Sequence, residues 1–202
     1  MQTALSSPKA AAIFTAPLIS VRLLKLASPF RKKLKEYPYL LAVLYPNPPL
    51  FKNDIYSLSI ARQESLFQKR ALSKSGAIGL MQIMPKTGRH IAGKLGRKNF
   101  KVEELFNDRL NYTFGSYYIH SLMRKFKLFP LAAAAYNGGP SRVRRALKLF
   151  GKVKSPEDLI LFNEVYIPFM ETRDYVKRTY VNLYYYSNLY GKGKEWRIFS
   201  SR

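Results

Sequence analysis

Proline and glycine cut this chain into short pieces, and that punctuation limits its fold more than any other feature. The stretch Tyr45-Pro46-Asn47-Pro48-Pro49 interrupts whatever precedes it, because consecutive prolines cannot continue a helix. Beyond it, Asn53 or Asp54 can cap a helix running from Ile55 through Phe67. Pro85 opens the next helix. A third spans about Asp108 to Lys125, where Phe114, Tyr117, Tyr118, Ser121 and Leu122 recur at helical spacing. The Ala-rich piece Ala132 to Tyr136 stops at Asn137-Gly138-Gly139, and Pro140 then starts a helix continued by Ser141 to Phe150. A last helix is expected from Glu171 to Tyr190, closed by Gly191. Strand patterns are scarce and no internal repeat is evident. The expectation is a mainly α domain around a single core.

Length and composition agree. A chain of 202 residues suits one domain, with or without an attached arm. At 47% hydrophobic and 14% aromatic it has material for a sizeable core. Its 15 Tyr and 13 Phe also suit half-buried, sugar-stacking walls. No cysteine is present, which excludes a disulfide framework, a Cys-ligated metal and a thiol nucleophile. No apolar run reaches the roughly 18 residues a spanning helix needs.

Residues 1–36 stand apart, with seven basic residues against the single acid Glu36 and a terminal cluster of Arg31, Lys32, Lys33 and Lys35. A boundary near Tyr37-Pro38 separates this basic segment from residues 37–202. Within it, Ala10 to Val21 reads equally as a weak signal-peptide core, an anchor, or the remnant of a longer helical region. The formal charge of +23 favours a polyanionic partner, whether nucleic acid, anionic lipid or an acidic wall polymer, against the alternative of a basic solvated surface with no single partner. No nucleic-acid fingerprint accompanies it.

Only twelve acids occur, so each one counts. Glu64 follows Ile60 and Ala61 by one turn and precedes Phe67, which gives its helix face an apolar character. Burial there raises a carboxyl's pKa, as a general acid near neutral pH requires. The competing reading is a surface Glu paired with Arg62 or Lys69. Gly76 to Pro85 is a glycine-punctuated apolar run holding one amide, Gln82, which must face a cleft or be satisfied by backbone. Ala135-Tyr136-Asn137 ahead of two glycines suits a close approach of backbone to ligand. Glu171 and Tyr175 lie one helical turn apart.

Together, Arg62-Gln63-Glu64-Ser65, Gly79-Leu80-Met81-Gln82-Ile83-Met84-Pro85, Ala135-Tyr136-Asn137, and Ile167-Pro168 with Glu171-Thr172-Arg173 and Tyr175-Val176 closely resemble the soluble lytic murein transglycosylases. In that family the catalytic domain has a goose-type-lysozyme-like fold. The resemblance covers about residues 37–190. It implies that Glu64 is the catalytic acid and base, with Ser65 a packing and hydrogen-bonding neighbour. It implies that Ser73 lies near the reacting sugar, that Gln82 and Met84 line the cleft, and that Tyr136 sits close to the carboxyl with Asn137 beside it. Glu171 and Tyr175 are expected to shape sugar subsites. The implied substrate is the peptidoglycan glycan strand, with no cofactor, no metal and no nucleic acid. A monomer is expected in the periplasm or cell envelope, peripherally associated with the envelope. Departures are small: Gly138-Gly139-Pro140 stands where Ala-Gly-Pro is common. Long relatives carry a large helical superstructure that 36 residues cannot form. The rivals are a lysozyme-type hydrolase using Glu64 with a positioned water, a non-catalytic glycan-binding scaffold, and a basic nucleic-acid binder.

Overall fold

The computed structural model describes residues 44–197. The basic segment 1–36 and the expected boundary at Tyr37-Pro38 therefore lie outside the described residues. Seven α-helices follow in order: α1 Ile55–Ser65, α2 Pro85–Lys94, α3 Asp108–Phe126, α4 Phe129–Gly138, α5 Pro140–Phe150, α6 Pro156–Leu161 and α7 Met170–Tyr190. A π-helical turn, Phe162–Tyr166, continues α6. Extended pairing among the described residues is confined to two isolated bridges, Leu72 with Ile78 and Ile78 with Ile83. The mainly α expectation holds.

The helix nearest the centre is α4. Ala132, Ala133, Ala134 and Ala135 are all buried, and they let α3, α5 and α7 approach its backbone closely. This helix begins at Phe129, earlier than the Ala-rich stretch alone suggests, because Pro130 sits in its first turn where its missing N–H costs nothing. α1 packs chiefly on α7, and Leu58, Ile60 and Ala61 point into the shared core. α1 also ends sooner than its apolar spacing predicts. Leu66 and Phe67 both take left-handed φ, 51° and 64°, so the helix stops at Ser65 and Phe67 turns aside to pack edge-on against Phe51. Phe67 is therefore not the next turn of the Glu64 face.

The start of α1 is tied to α3 through one carboxylate. Asp54 caps α1, accepting from the Ser57 N–H at 3.2 Å and the Ser57 hydroxyl at 2.6 Å. It also accepts from Ser116 Oγ at 3.0 Å and meets His120 Nε2 at 3.0 Å. Burial would raise the Asp54 pKa, but the donors His120 and Ser57 outweigh it and hold the carboxyl below its ordinary value. The same hydrogen bond lifts the His120 pKa against a smaller opposing effect of burial. The depressed Asp54 contributes stability above its unfolded pKa and loses it as pH falls through the folded one. The elevated His120 contributes stability below its unfolded pKa and loses it as pH rises through its folded value. Asp54→Ala should cost about 2 kcal/mol in urea unfolding. It should also flatten the decline in stability that wild type shows as pH rises past His120.

Candidate active site

The C-terminal end of α1 presents Glu64 at the junction of three structures: the 71–85 loop, the end of α4 and the start of α7. Ser65 fixes the first junction by donating its hydroxyl to the Leu80 carbonyl at 2.7 Å. The loop is folded back on itself, with Ile78 and Ile83 exchanging backbone hydrogen bonds at 3.1 and 2.9 Å. Gln82, at a left-handed φ of 47°, donates its side-chain amide to Gly79 O at 2.9 Å and Ala71 O at 3.2 Å. Of the two fates open to that amide in the sequence, satisfaction by backbone is the one observed for its nitrogen.

One side chain holds this loop to the domain. The Asn111 amide on α3, fully buried, accepts from the Met81 N–H at 2.8 Å and donates to Ile78 O at 2.7 Å and Leu105 O at 2.9 Å. Gly79 makes room for it: a Cβ there would fall on the Asn111 amide and 2.8 Å from Leu105 O, and φ at 77° disfavours any side chain. One turn along α3, Gly115 leaves the space that Met81 fills. With the Met81 N–H held by Asn111, its carbonyl accepts from the Tyr136 hydroxyl at 2.7 Å. The Tyr136 ring leans on Tyr118, centroids 5.2 Å apart.

From the other side, the buried Tyr175 of α7 donates its hydroxyl to Glu64 Oε1 at 2.6 Å. Burial raises the Glu64 pKa; the Tyr175 hydrogen bond opposes this, and the negative charge of Glu171 adds to it. The net result is a carboxyl pushed up to about 7. The phenols of Tyr136 and Tyr175 are driven far above their ordinary value by burial and by the Glu64 charge, so both remain protonated donors. Neither cation of the surface-pair reading approaches Glu64. Arg62 donates to Leu44 O at 2.8 Å and Asn182 Oδ1 at 3.0 Å and covers the Tyr45 ring, while Lys69 pairs with Asp108 at 2.9 Å.

The remaining expected residues are more peripheral. Ser73 closes a turn, its hydroxyl accepting from the Ala77 N–H at 2.9 Å. Met84 precedes α2 and is 41% exposed. Asn137 Oδ1 accepts from Thr172 Oγ1 at 2.7 Å, joining the end of α4 to the first turn of α7. Glu171 is exposed in that same first turn. Among the described residues no hydrogen bond links Ser73, Met84 or Asn137 to Glu64. Sequence reasoning missed Asn111; the signal it left is an amide three and four residues before Phe114 and Gly115 on the buried stripe of α3. Among the described residues, no three of His, Asp or Glu come together as a metal would require. A half-buried carboxyl titrating near 7 beside a phenol donor can give up a proton and take one back.

The family model described as the transglycosylase SLT domain matches residues 55–158. The chain belongs to that family. It is 37% identical over 141 residues to the soluble lytic murein transglycosylase of Salmonella typhimurium, covering 68% of this chain and 21% of the relative. The Escherichia coli K12 relative of the same name is 36% identical over 140 residues, covering 67% and 21%. Among solved structures, the 70 kDa soluble lytic transglycosylase of Escherichia coli superposes with a TM-score of 0.64 at 31% identity, covering 75% of this chain and 25% of that one. The Pseudomonas aeruginosa lytic transglycosylase, solved as an inactive mutant with a glutamate replaced by glutamine, gives 0.63 at 29% identity, covering 81% and 29%. The lysozyme-like fold class expected from the motifs is thus the fold of the SLT transglycosylase domain. The chain spans about a fifth of the length of the curated relatives it matches.

Proposed function

We propose that this chain is a peptidoglycan lytic transglycosylase acting in the periplasm or cell envelope, with Glu64 as its acid and base. The observation that carries the reading is the Glu64 carboxyl itself, lifted to about 7 by burial and held by Tyr175 at 2.6 Å. Protonated, it donates to the glycosidic oxygen between N-acetylmuramic acid and N-acetylglucosamine. The C1–O bond breaks, and the leaving sugar keeps the electron pair with Glu64's proton. The resulting carboxylate then removes the proton from the same muramyl residue's C6 hydroxyl, whose oxygen bonds to C1 and closes a 1,6-anhydro ring. Intramolecular attack of this kind reaches effective molarities on the order of 10⁵ M. Ordinary glycosidases need a second carboxylate as nucleophile or base. Glu171, exposed and in the first turn of α7, acts instead through its charge on the Glu64 pKa.

In this scheme Tyr136 and Tyr175 remain neutral donors at the reacting centre, and the 71–85 loop supplies Gln82 and Met84 to one wall of the groove. Ser73, Asn137 and Glu171 line subsites beyond it. Family membership supports the substrate class, since the relatives are named for murein. The described residues contain no helix long and apolar enough to cross a membrane.

The rival hydrolytic chemistry leaves a different product. Digestion of purified sacculi should release muropeptides one water lighter than those made by a lysozyme, read by mass spectrometry. Products carrying that water assign the chain to the hydrolases. A second prediction concerns pH. Activity that needs protonated Glu64 falls as pH rises through about 7. Because the Tyr175 hydrogen bond lowers that pKa, Tyr175→Phe should move the falling limb of the kcat/KM profile to higher pH. An unmoved or downward-shifted limb contradicts the coupling.

A further inference from the structure

α5 is built against its own electrostatics. Its sequence, Pro140 to Phe150, contains Arg142, Arg144, Arg145 and Lys148 and no acid. Arg142 falls in the first turn, where the helix dipole disfavours positive charge. Arg144 and Lys148 stand at i,i+4, where like charges repel. The buried stripe is supplied by Val143 and Ala146, so Arg144, Arg145 and Lys148 all project into solvent. Lys152 and Lys154, which follow the helix end in sequence, are exposed as well. None of these five cations forms an ion pair with a described residue. Glu157 is nearby in sequence, but the Asp158 carboxylate is taken up by the backbone N–H groups of Lys154 and Ser155.

The helix starts beside the candidate active site. Arg142 donates to Gly138 O at 2.9 Å, next to Asn137, and its guanidinium covers the Phe169 ring at 4.9 Å, two residues before Glu171. We propose that the solvent face of α5, Arg144, Arg145 and Lys148 continued by Lys152 and Lys154, is an exosite for the carboxylates of peptidoglycan stem peptides. It rests on the reading of the chain as a peptidoglycan enzyme. A glycan strand leaving the cleft carries stem carboxylates at regular intervals, and exposed cations with no carboxylate partner among the described residues are their charge complement. An anionic bilayer is the poorer fit. Surface-seated helices use a broad apolar face, and the apolar stripe of α5 is turned into the core, leaving Leu149 as its one exposed apolar side chain at 76%.

The test is binding of the full chain to purified sacculi at low salt, in a Glu64→Gln background so that turnover plays no part. The triple variant Arg144→Gln, Arg145→Gln, Lys148→Gln is compared with an equally neutralised control, Lys94→Gln, Lys98→Gln, Lys127→Gln, whose lysines are also exposed. On intact sacculi the α5 variant should bind roughly tenfold more weakly than the control. On sacculi whose carboxylates are converted to neutral amides by carbodiimide coupling, the two should bind alike. Equal losses in both variants reduce the effect to bulk charge and overturn the proposal, as does an undiminished α5 defect on the amidated sacculi. Vesicles of phosphatidylglycerol and phosphatidylethanolamine form a further arm. Vesicle binding that is lost in the α5 variant, with sacculus binding intact, replaces the exosite with a membrane contact. Failure of the enzymatic reading appears elsewhere, as hydrolysed products from the Glu64 protein.

Discussion

Glu64→Gln should reduce sacculus cleavage by roughly 10³-fold or more, with the fold retained. Glutamine keeps the shape of the side chain, and its carbonyl can still accept from the Tyr175 hydroxyl. In the proposed scheme it loses the proton that passes to the glycosidic oxygen and the site that takes one back from the C6 hydroxyl. That scheme gives both steps to one group, so no second acid remains to sustain a partial rate. Stability gives an independent readout. A carboxyl whose folded pKa is lifted from 4.5 to about 7 makes the native state hold a proton the unfolded state has released. Wild-type stability therefore falls between those values as pH rises, and the neutral amide removes that slope. The variant should be the more stable protein at pH 8 and show little advantage at pH 4, as measured by urea midpoints. An active Glu64→Gln protein, or one less stable at pH 8, contradicts the assignment.

The second large effect is expected well away from any substrate. Asn111→Ala removes three hydrogen bonds at once: the Met81 N–H and the Leu105 carbonyl lose the amide that binds them, and the Ile78 carbonyl is left with the Ile83 N–H alone. Each unsatisfied buried polar group costs about 1–3 kcal/mol, so a loss of roughly 3–5 kcal/mol is expected. Asn111→Asp should not restore it, because a carboxylate accepts from Met81 but cannot donate to either carbonyl. Activity should fall with stability, since the Met81 carbonyl is what the Tyr136 hydroxyl binds. Denaturant unfolding of both variants, with turnover measured at a temperature where each is folded, separates the two losses. A midpoint unchanged in either variant denies Asn111 its bracing role.

These two residues mark how far the sequence could be read. The partly buried setting of Glu64 was legible because Ile60 and Ala61 precede it by one turn and because its neighbours carry a family pattern. Pro85 and Pro140 announced their helix starts by the missing N–H, Gly191 marked the last helix end by residue type, and those ends stand where expected. Pro130 carried the same kind of signal for the start of α4, but the alanines beyond it drew the boundary too late. The stop at Ser65 had no such announcement. Leu66 and Phe67 are not residues that favour left-handed φ, and the turn is braced by tertiary contacts of Ser65 with Leu80 and Phe67 with Phe51 that no local window shows. Asn111 grips a loop 30 residues away, and Tyr175 reaches Glu64 across 111, so neither partner is visible in a local window. For Gln82, satisfaction by backbone was one of the two fates the sequence left open, but which two carbonyls supply it was not legible.

The physical core of the proposed chemistry is a carboxyl kept protonated near neutral pH by its surroundings. Carbon-13 NMR of labelled glutamate side chains across pH, with the Glu64 signal assigned by its absence in Glu64→Gln, measures this directly. A Glu64 midpoint near 7 is predicted. A midpoint at the ordinary value of about 4.5 would leave the group ionised at working pH and contradict its role as proton donor.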